Sequence, residues 1–240
     1  MRGAIFVPRR SSKKKVAVFD IDGTIFRSSL LIELTEALIQ EGVFPKKVRN
    51  AYSREYKRWL ERKGSYEAYI DAVVVVFWQT IKGVKRSVFL KVAREVVALH
   101  HDRVYRYTRD LVKDLRRKNY YIVAISNSPW EIVEAFCKKL GFSKVYGRVY
   151  EADAKGKFTG TIQHLELISD KAKILRRVVE KEGLTLRGSV GVGDTESDVA
   201  FLRLVDRPIC FNPNRKLLAY ATRNGWKVVV ERKDVIHSVR

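Results

Sequence analysis

Three short, wholly apolar runs, each stopping at a polar side chain, constrain this chain more than any other feature. Val16 to Phe19 ends at Asp20, Tyr120 to Ile125 ends at Ser126, and Val190 to Gly193 ends at Asp194. Runs this short and without a polar face suit strands buried in a parallel sheet, where helices cover both faces. Turn residues and then helical periodicity follow each run, which is the alternation of an α/β fold. Pro208 to Phe211 and Lys227 to Val230 read as two further strands, with helices over Asp110 to Lys118, Trp130 to Leu140, Lys171 to Glu182 and Pro213 to Asn224. Ser128-Pro129-Trp130-Glu131 reads as a capping box with proline at the first helical position, and Asn212-Pro213 has the same proline placement.

Between the first two strands lies a segment too long for a crossover, Leu30 to about Tyr105, with helical periodicity broken at Glu41-Gly42, Lys63-Gly64 and Lys82-Gly83. About four helices are expected there, forming an inserted cap. Its stretch Ala72 to Trp78 is apolar all round, as for a helix central to a bundle. A smaller insert, Val149 to Ile162, carries Lys155-Gly156-Lys157 between extended patterns and reads as a β-hairpin. The expected organisation is a basic tail over residues 1–12, a core over 13–29 and 105–240, and a helical cap over 30–104. At 240 residues the chain has room for one α/β unit and one insert.

The chemistry-bearing residues sit where the strands end. In Asp20-Ile21-Asp22-Gly23-Thr24 two acids stand two residues apart at the carboxyl edge of the first strand, where open α/β sheets place their ligands. A carboxylate there can bind a hard cation through one oxygen and attack with the other. Asp194 would lie beside this pair, and Asp198, four residues on, would share a helix face with it. Converging carboxylates repel one another, and Mg2+ resolves that conflict, since it takes a few carboxylates together with water and phosphate oxygens. Ser126 can donate a hydroxyl to phosphate, Asn127 a backbone amide at a helix start, and Lys171 a fixed charge. Lys173 stands close to Lys171 in sequence but on a different helix face, and Lys171 is preferred because it falls at the helix start.

This ordered set resembles the haloacid dehalogenase superfamily. The first motif is similar to Asp20 through Thr24, the second to Ser126 with Asn127-Ser128, the third to Lys171, and the fourth to Gly193-Asp194 through Asp198. The helical insert between the first two motifs resembles the phosphoserine-phosphatase-like branch. The resemblance implies a Rossmann-like parallel sheet with helices on both faces, a helical cap after the first strand and a small β-hairpin. It also implies an Mg2+-dependent phosphatase in which Asp20 is nucleophile and metal ligand, Asp194 a second ligand, and Asp22 a ligand through its carbonyl. The Asp22 side chain would serve as general acid and then base. Ser126, Asn127 and Lys171, with Gly23 and Thr24 of the first motif, would hold the phosphoryl group, and Asp198 would orient Lys171 or a metal-bound water. Where phosphoserine phosphatases carry an acid nine positions after the nucleophile, this chain has Ser29. The expected substrate is therefore a small phosphomonoester rather than phosphoserine in particular. Phosphotransfer to an alcohol acceptor would use the same residues.

Composition bears on partners. A net charge of +21 attracts anions, and so fits phosphorylated small molecules, while nucleic acid is an alternative that no motif supports. The cap aromatics Tyr52, Tyr56, Trp59, Tyr66, Tyr69, Phe77 and Trp78 could line a pocket for an apolar or cationic head group such as choline, but their helical spacing favours the cap core. His100 and His101 are adjacent, diverge on a helix, and belong to the return connection. Two cysteines make neither a metal cluster nor a disulfide framework, and no apolar run is long enough to span a bilayer, so a reducing cytoplasmic setting is expected.

Overall fold

The computed structural model describes residues 13–239; the expected tail over residues 1–12 lies outside them. Strand β1, Lys15–Phe19, has a burial pattern in which every residue after Lys15 is buried. Val16 and Val18 pack into the apolar cluster on one face of the sheet, whereas Ala17 and Phe19 pack into the cluster on the other. That alternation follows from the two-residue repeat of extended backbone, and both faces are covered because the strand is central. Full burial of a side chain such as Phe19 contributes about 1.5–3 kcal/mol.

Four helices follow: α1 (Leu30–Gln40), α2 (Asn50–Leu60), α3 (Tyr66–Ile81) and α4 (Arg86–His100). Helices α1 and α3 each end two residues before a glycine, Gly42 and Gly83, and α2 ends four residues before Gly64. The Ala72 to Trp78 stretch is helical, but not central on all sides, because Val75 and Trp78 are about half exposed. Its other side faces the core, with Val73 and Phe77 fully buried. Helix α5 (Arg106–Arg117) returns the chain to the sheet.

Strand β2 (Tyr121–Pro129) is longer than its apolar run and stays extended through Pro129 before α6 (Trp130–Leu140) begins. The expected capping box is therefore absent: Pro129, not Ser128, precedes the helix, with no side-chain cap. The Glu131 carboxylate is instead buried against Arg86, Nε–Oε1 3.2 Å. Strand β3 (Lys144–Ala152) pairs parallel with β2 in its first half and antiparallel with β4 (Phe158–Gln163) in its second. The hairpin thus extends the main sheet, and it also reaches the insert, since Gly83 N donates to Phe158 O at 2.8 Å and Phe158 N to Val84 O at 3.0 Å.

A one-turn helix α7 (Leu165–Ile168), helix α8 (Lys171–Lys181) and strand β5 (Thr185–Gly193) follow. Then come α9 (Val199–Leu202), β6 (Arg207–Phe211), α10 (Arg215–Arg223), β7 (Lys227–Arg232) and β8 (Val235–Val239). Helix α10 starts two residues after Pro213, with the Asn214 side chain accepting from Leu217 N, so Asn214 and not Asn212 is its cap. The strand order is β4-β3-β2-β1-β5-β6-β7-β8, parallel except for the outermost strand at each edge. Strand β8 had no counterpart among the sequence expectations. Connections run outward through β2 and β3 on one side of β1 and through β5 to β7 on the other. The switch between these directions leaves a crevice at the carboxyl ends of β1 and β5. Among the described residues no helix is long and apolar enough to cross a membrane.

Candidate active site

Asp20 is held at the crevice by its own backbone, its N–H donating to Val192 O of β5 at 2.9 Å. The chain then turns sharply: Ile25 N and Phe26 N both donate to Ile21 O at 2.9 Å, and Gly23 takes a φ of +78° that side-chain-bearing residues avoid. A Cβ at Gly23 would overlap Oδ2 of Asp194, so the glycine also permits the close approach of the two loops. Thr24 donates its hydroxyl to Asp194 Oδ1 at 3.2 Å, tying the two strand ends together. The three acids Asp20, Asp194 and Asp198 offer oxygens that all lie within 4.8 Å of one another.

Lys171 stands at the first position of α8, fixed there by Asp170, whose carboxylate accepts from Ala172 N at 2.9 Å and Lys173 N at 3.1 Å. Its side chain reaches back into the crevice, as side chains in a first helical turn do. The buried Nζ lies 2.6 Å from Asp20 Oδ1 and 2.5 Å from Asp198 Oδ1. Lys173, two residues on, is exposed, whereas Lys171 is buried against the acids. Asp198 does not share a helix face with Asp194. It ends a single 3-10 turn, Glu196–Asp198, and its Oδ2 accepts from Asp194 N at 3.0 Å and Thr195 N at 3.1 Å. With both oxygens occupied, Asp198 is placed to hold Lys171 and the β5 loop.

Asp22 is turned towards β2. Its Oδ2 accepts from Ser126 Oγ at 2.6 Å and Ser128 Oγ at 2.9 Å, while Oδ1 accepts from Leu30 N at 2.5 Å. Ser128 entered the sequence reading as a helix cap and as part of the second motif, with no role of its own in the site. The signal that would have found it is the two-residue spacing from Ser126, which puts both hydroxyls on one side once the strand is read through to Pro129. Asn127 is exposed and lines the pocket, but its amide belongs to extended backbone, because α6 starts only at Trp130. The pocket has a volume of about 330 Å³ and is bounded by Asp20, Asp22, Asn127, Ser128, Lys171 and Asp194 from the sheet side. Ser29, Tyr66, Glu67 and Asp71 close it from the helical side. Of these, Tyr66 was expected as cap core in preference to pocket lining.

Burial and the neighbouring carboxylates Asp198 and Asp22 push the Asp20 carboxyl up to about 8, with Lys171 opposing the rise. Burial, with Asp20 and Asp198 beside it, likewise holds Asp194 well above the usual carboxylate range. Burial is the largest single influence on Lys171 and lowers it, but Asp198 and Asp20 together outweigh burial and hold the ammonium above its ordinary value. The cluster is therefore short of positive charge: one ammonium faces three acids. A hard divalent cation between Asp20 and Asp194 would restore both carboxylates to their charged forms, and an all-oxygen donor set suits magnesium. The residues fit that ion.

Comparison with known proteins agrees with this geometry. The haloacid dehalogenase-like hydrolase family matches residues 17–203, and the chain belongs to that family. Within it the chain is phosphoserine-phosphatase-like. A phosphoserine phosphatase from Methanocaldococcus jannaschii is 25% identical, the match covering 83% of this chain and 86% of that one. An inhibition of morphological differentiation protein from Streptomyces azureus is also 25% identical, over 93% of this chain and 80% of its own. The fold is shared with a solved phospho-aspartyl intermediate analogue of phosphoserine phosphatase at a TM-score of 0.59 and 22% identity, covering 93% of this chain and 96% of that one.

Proposed function

We infer that this phosphoric monoester hydrolase is magnesium-dependent and cleaves a small phosphorylated metabolite through a phosphorylated Asp20. The observation behind this reading is the meeting of Asp20, Asp194 and Lys171 at the ends of β1 and β5, with Thr24 bridging the loops. The carboxylates of Asp20 and Asp194 and the carbonyl of Asp22 would hold the ion, which would neutralise phosphoryl charge and keep Asp20 ionised. The Asp20 oxygen not engaged by Lys171 attacks phosphorus as the ester oxygen leaves on the opposite side. Ser126, Asn127 and Lys171 hold the phosphoryl oxygens, and Lys171 stabilises the charge as it spreads. Asp22 gives its proton to the departing oxygen and later takes one from the water that hydrolyses the aspartyl phosphate. For the first step its carboxyl must loosen from Ser126 and Ser128, which the arrival of phosphate at those hydroxyls brings about.

The division into a core, residues 13–29 and 105–240, and a cap, residues 30–104, belongs to the same reading. Arg27 N donates to Arg103 O at 2.8 Å and Tyr105 N to Ile25 O at 3.0 Å, so the outgoing and returning chains are paired at the junction. Names of relatives that act on phosphoserine or, in a Neisseria meningitidis protein 24% identical, on histidinol phosphate support a small metabolite. The nucleic-acid alternative rests on charge alone. Phosphotransfer to an alcohol is separated from hydrolysis by product analysis with added acceptors. The direct test is phosphate release from an aryl phosphate with and without magnesium: the activity requires the ion and Asp20→Asn abolishes it. Full turnover by Asp20→Asn would overturn covalent catalysis.

A further inference from the structure

Past Tyr66 and Asp194, which line both spaces, the pocket continues into a larger cavity of about 760 Å³. Helix α2 presents Tyr52, Tyr56 and Trp59 to it, at the spacing of one helix face, and α3 presents Tyr66 and Tyr69. The rings are ordered against one another: Trp59 and Tyr69 stack at 5.8 Å and 14°, while Tyr56 lies 5.1 Å from Tyr69 and Trp59 lies 5.2 Å from Tyr66. As expected for cap core, Tyr52 and Tyr69 are buried, with Trp59 and Tyr66 packed against them, but Tyr56 is 41% exposed and the five rings together border the cavity. Helical spacing says which residues share a face but not what that face opposes.

The charges on the wall decide between the two kinds of group that aromatic surfaces bind. A quaternary or primary ammonium is attracted by ring faces, but an unpaired cation on the same wall repels it. The wall acid Glu36 is already paired with Arg49 at 2.8 Å and accepts the Tyr52 hydroxyl. Arg103 is paired with Glu33 at 3.0 Å, and Arg27, lying 5.4 Å over the Tyr105 ring, has no carboxylate partner among the described residues. Away from Asp194 the wall is thus aromatic and net positive, which disfavours a cation and suits a flat neutral or electron-rich ring. We propose that the alcohol part of the substrate carries a planar aromatic ring, seated against the Trp59 and Tyr56 rings, which Tyr69 backs from the core, while the phosphate lies at Asp20. This rests on the phosphatase reading and narrows its substrate class.

The test uses the full chain with magnesium and compares kcat/KM for 2-phenylethyl, 2-cyclohexylethyl and ethyl phosphates and for phosphocholine. The first two leaving groups match in length and differ little in basicity, so the difference between them reports ring recognition. The expected result is a preference for phenylethyl over cyclohexylethyl phosphate of about tenfold, expressed in KM, as stacking on aromatic side chains supplies. Trp59→Phe keeps that ratio, and Trp59→Leu, together with Tyr56→Ala at the cavity's open side, brings it below about threefold. Turnover of ethyl phosphate with equal rates for the two ring esters, or a preference for phosphocholine, would overturn the ring assignment and leave the phosphatase standing. No turnover of any ester by the wild-type protein would overturn both.

Discussion

Replacing Lys171 by methionine removes the ammonium that lies between Asp20 and Asp198 while keeping most of the volume of the side chain. In magnesium-free buffer the consequence depends on pH in a definite sense. Asp20 titrates at about 8 in the folded protein against about 3.9 unfolded, so between those values the folded state holds the extra proton. Stability of the metal-free protein accordingly falls as pH rises through that window. Lys171, with a folded pKa above its unfolded one, contributes fully at any pH below about 10.4. At pH 5 Asp20 is protonated, and the variant loses chiefly the 2.5 Å bond to Asp198, worth about 1.5–3 kcal/mol for a charge-assisted hydrogen bond. At pH 9 Asp20 is mostly ionised in the wild type, whereas without the ammonium its carboxyl moves further up and stays protonated, so the variant loses up to about 1.4 kcal/mol more than at pH 5. Urea unfolding of both proteins at the two pH values measures the difference. A loss equal at both, or larger at pH 5, would refute the charge deficit assigned to this cluster.

Four other outcomes follow from the geometry. Gly23→Ala forces a Cβ against Asp194 at a left-handed backbone position, so magnesium affinity measured by calorimetry falls at least about tenfold, beyond the roughly 1–2 kcal/mol of backbone cost. Asp22→Asn slows an alkyl phosphate by about 100-fold or more and p-nitrophenyl phosphate far less, because a good leaving group needs no proton; equal slowing would argue against acid catalysis. Ser126→Ala with Ser128→Ala frees Asp22 of two hydroxyl donors and removes a phosphate contact, raising KM for phosphate esters in steady-state kinetics. Asn214 donates to Glu67 of α3 at 2.7 Å and to Glu196, so Asn214→Asp sets a third carboxylate against those two; limited proteolysis of the helical segment then becomes faster.

The parts of this structure legible in the sequence are those fixed by local composition. The strand ends at Asp20 and Asp194 were readable because an apolar run buried on both faces must stop where the chain meets the crevice, and the Gly42, Gly64 and Gly83 breaks marked the helices of the insert. Lys171 was readable from its place beside the Asp170 cap. What was missed depends on long-range pairing. The run Ser126 to Pro129 looks like a turn into a helix, but pairing of Pro129 with Arg148 of β3 keeps it extended and swings Ser128 onto Asp22. The approach of Asp198 to Asp194 comes from a 3-10 turn that four-residue spacing does not reveal. Strand β8 exists because it pairs with β7. The aromatic face of α2 shares its cavity with Arg27, Arg103 and Tyr105 of the chain junction, residues distant in sequence that helical spacing does not bring in.

The central claim is that Asp20 itself takes the phosphoryl group, and the direct measurement is to trap it. The protein is mixed with a phosphate ester and magnesium, quenched in acid within the turnover time, and reduced with borohydride, which converts an aspartyl phosphate to homoserine. Mass spectrometry of the peptide spanning Lys15 to Arg27 then finds homoserine at position 20 and unmodified aspartate at 22. Turnover of the ester with Asp20 unmodified at every quench time, or with the label at another residue, would contradict the account.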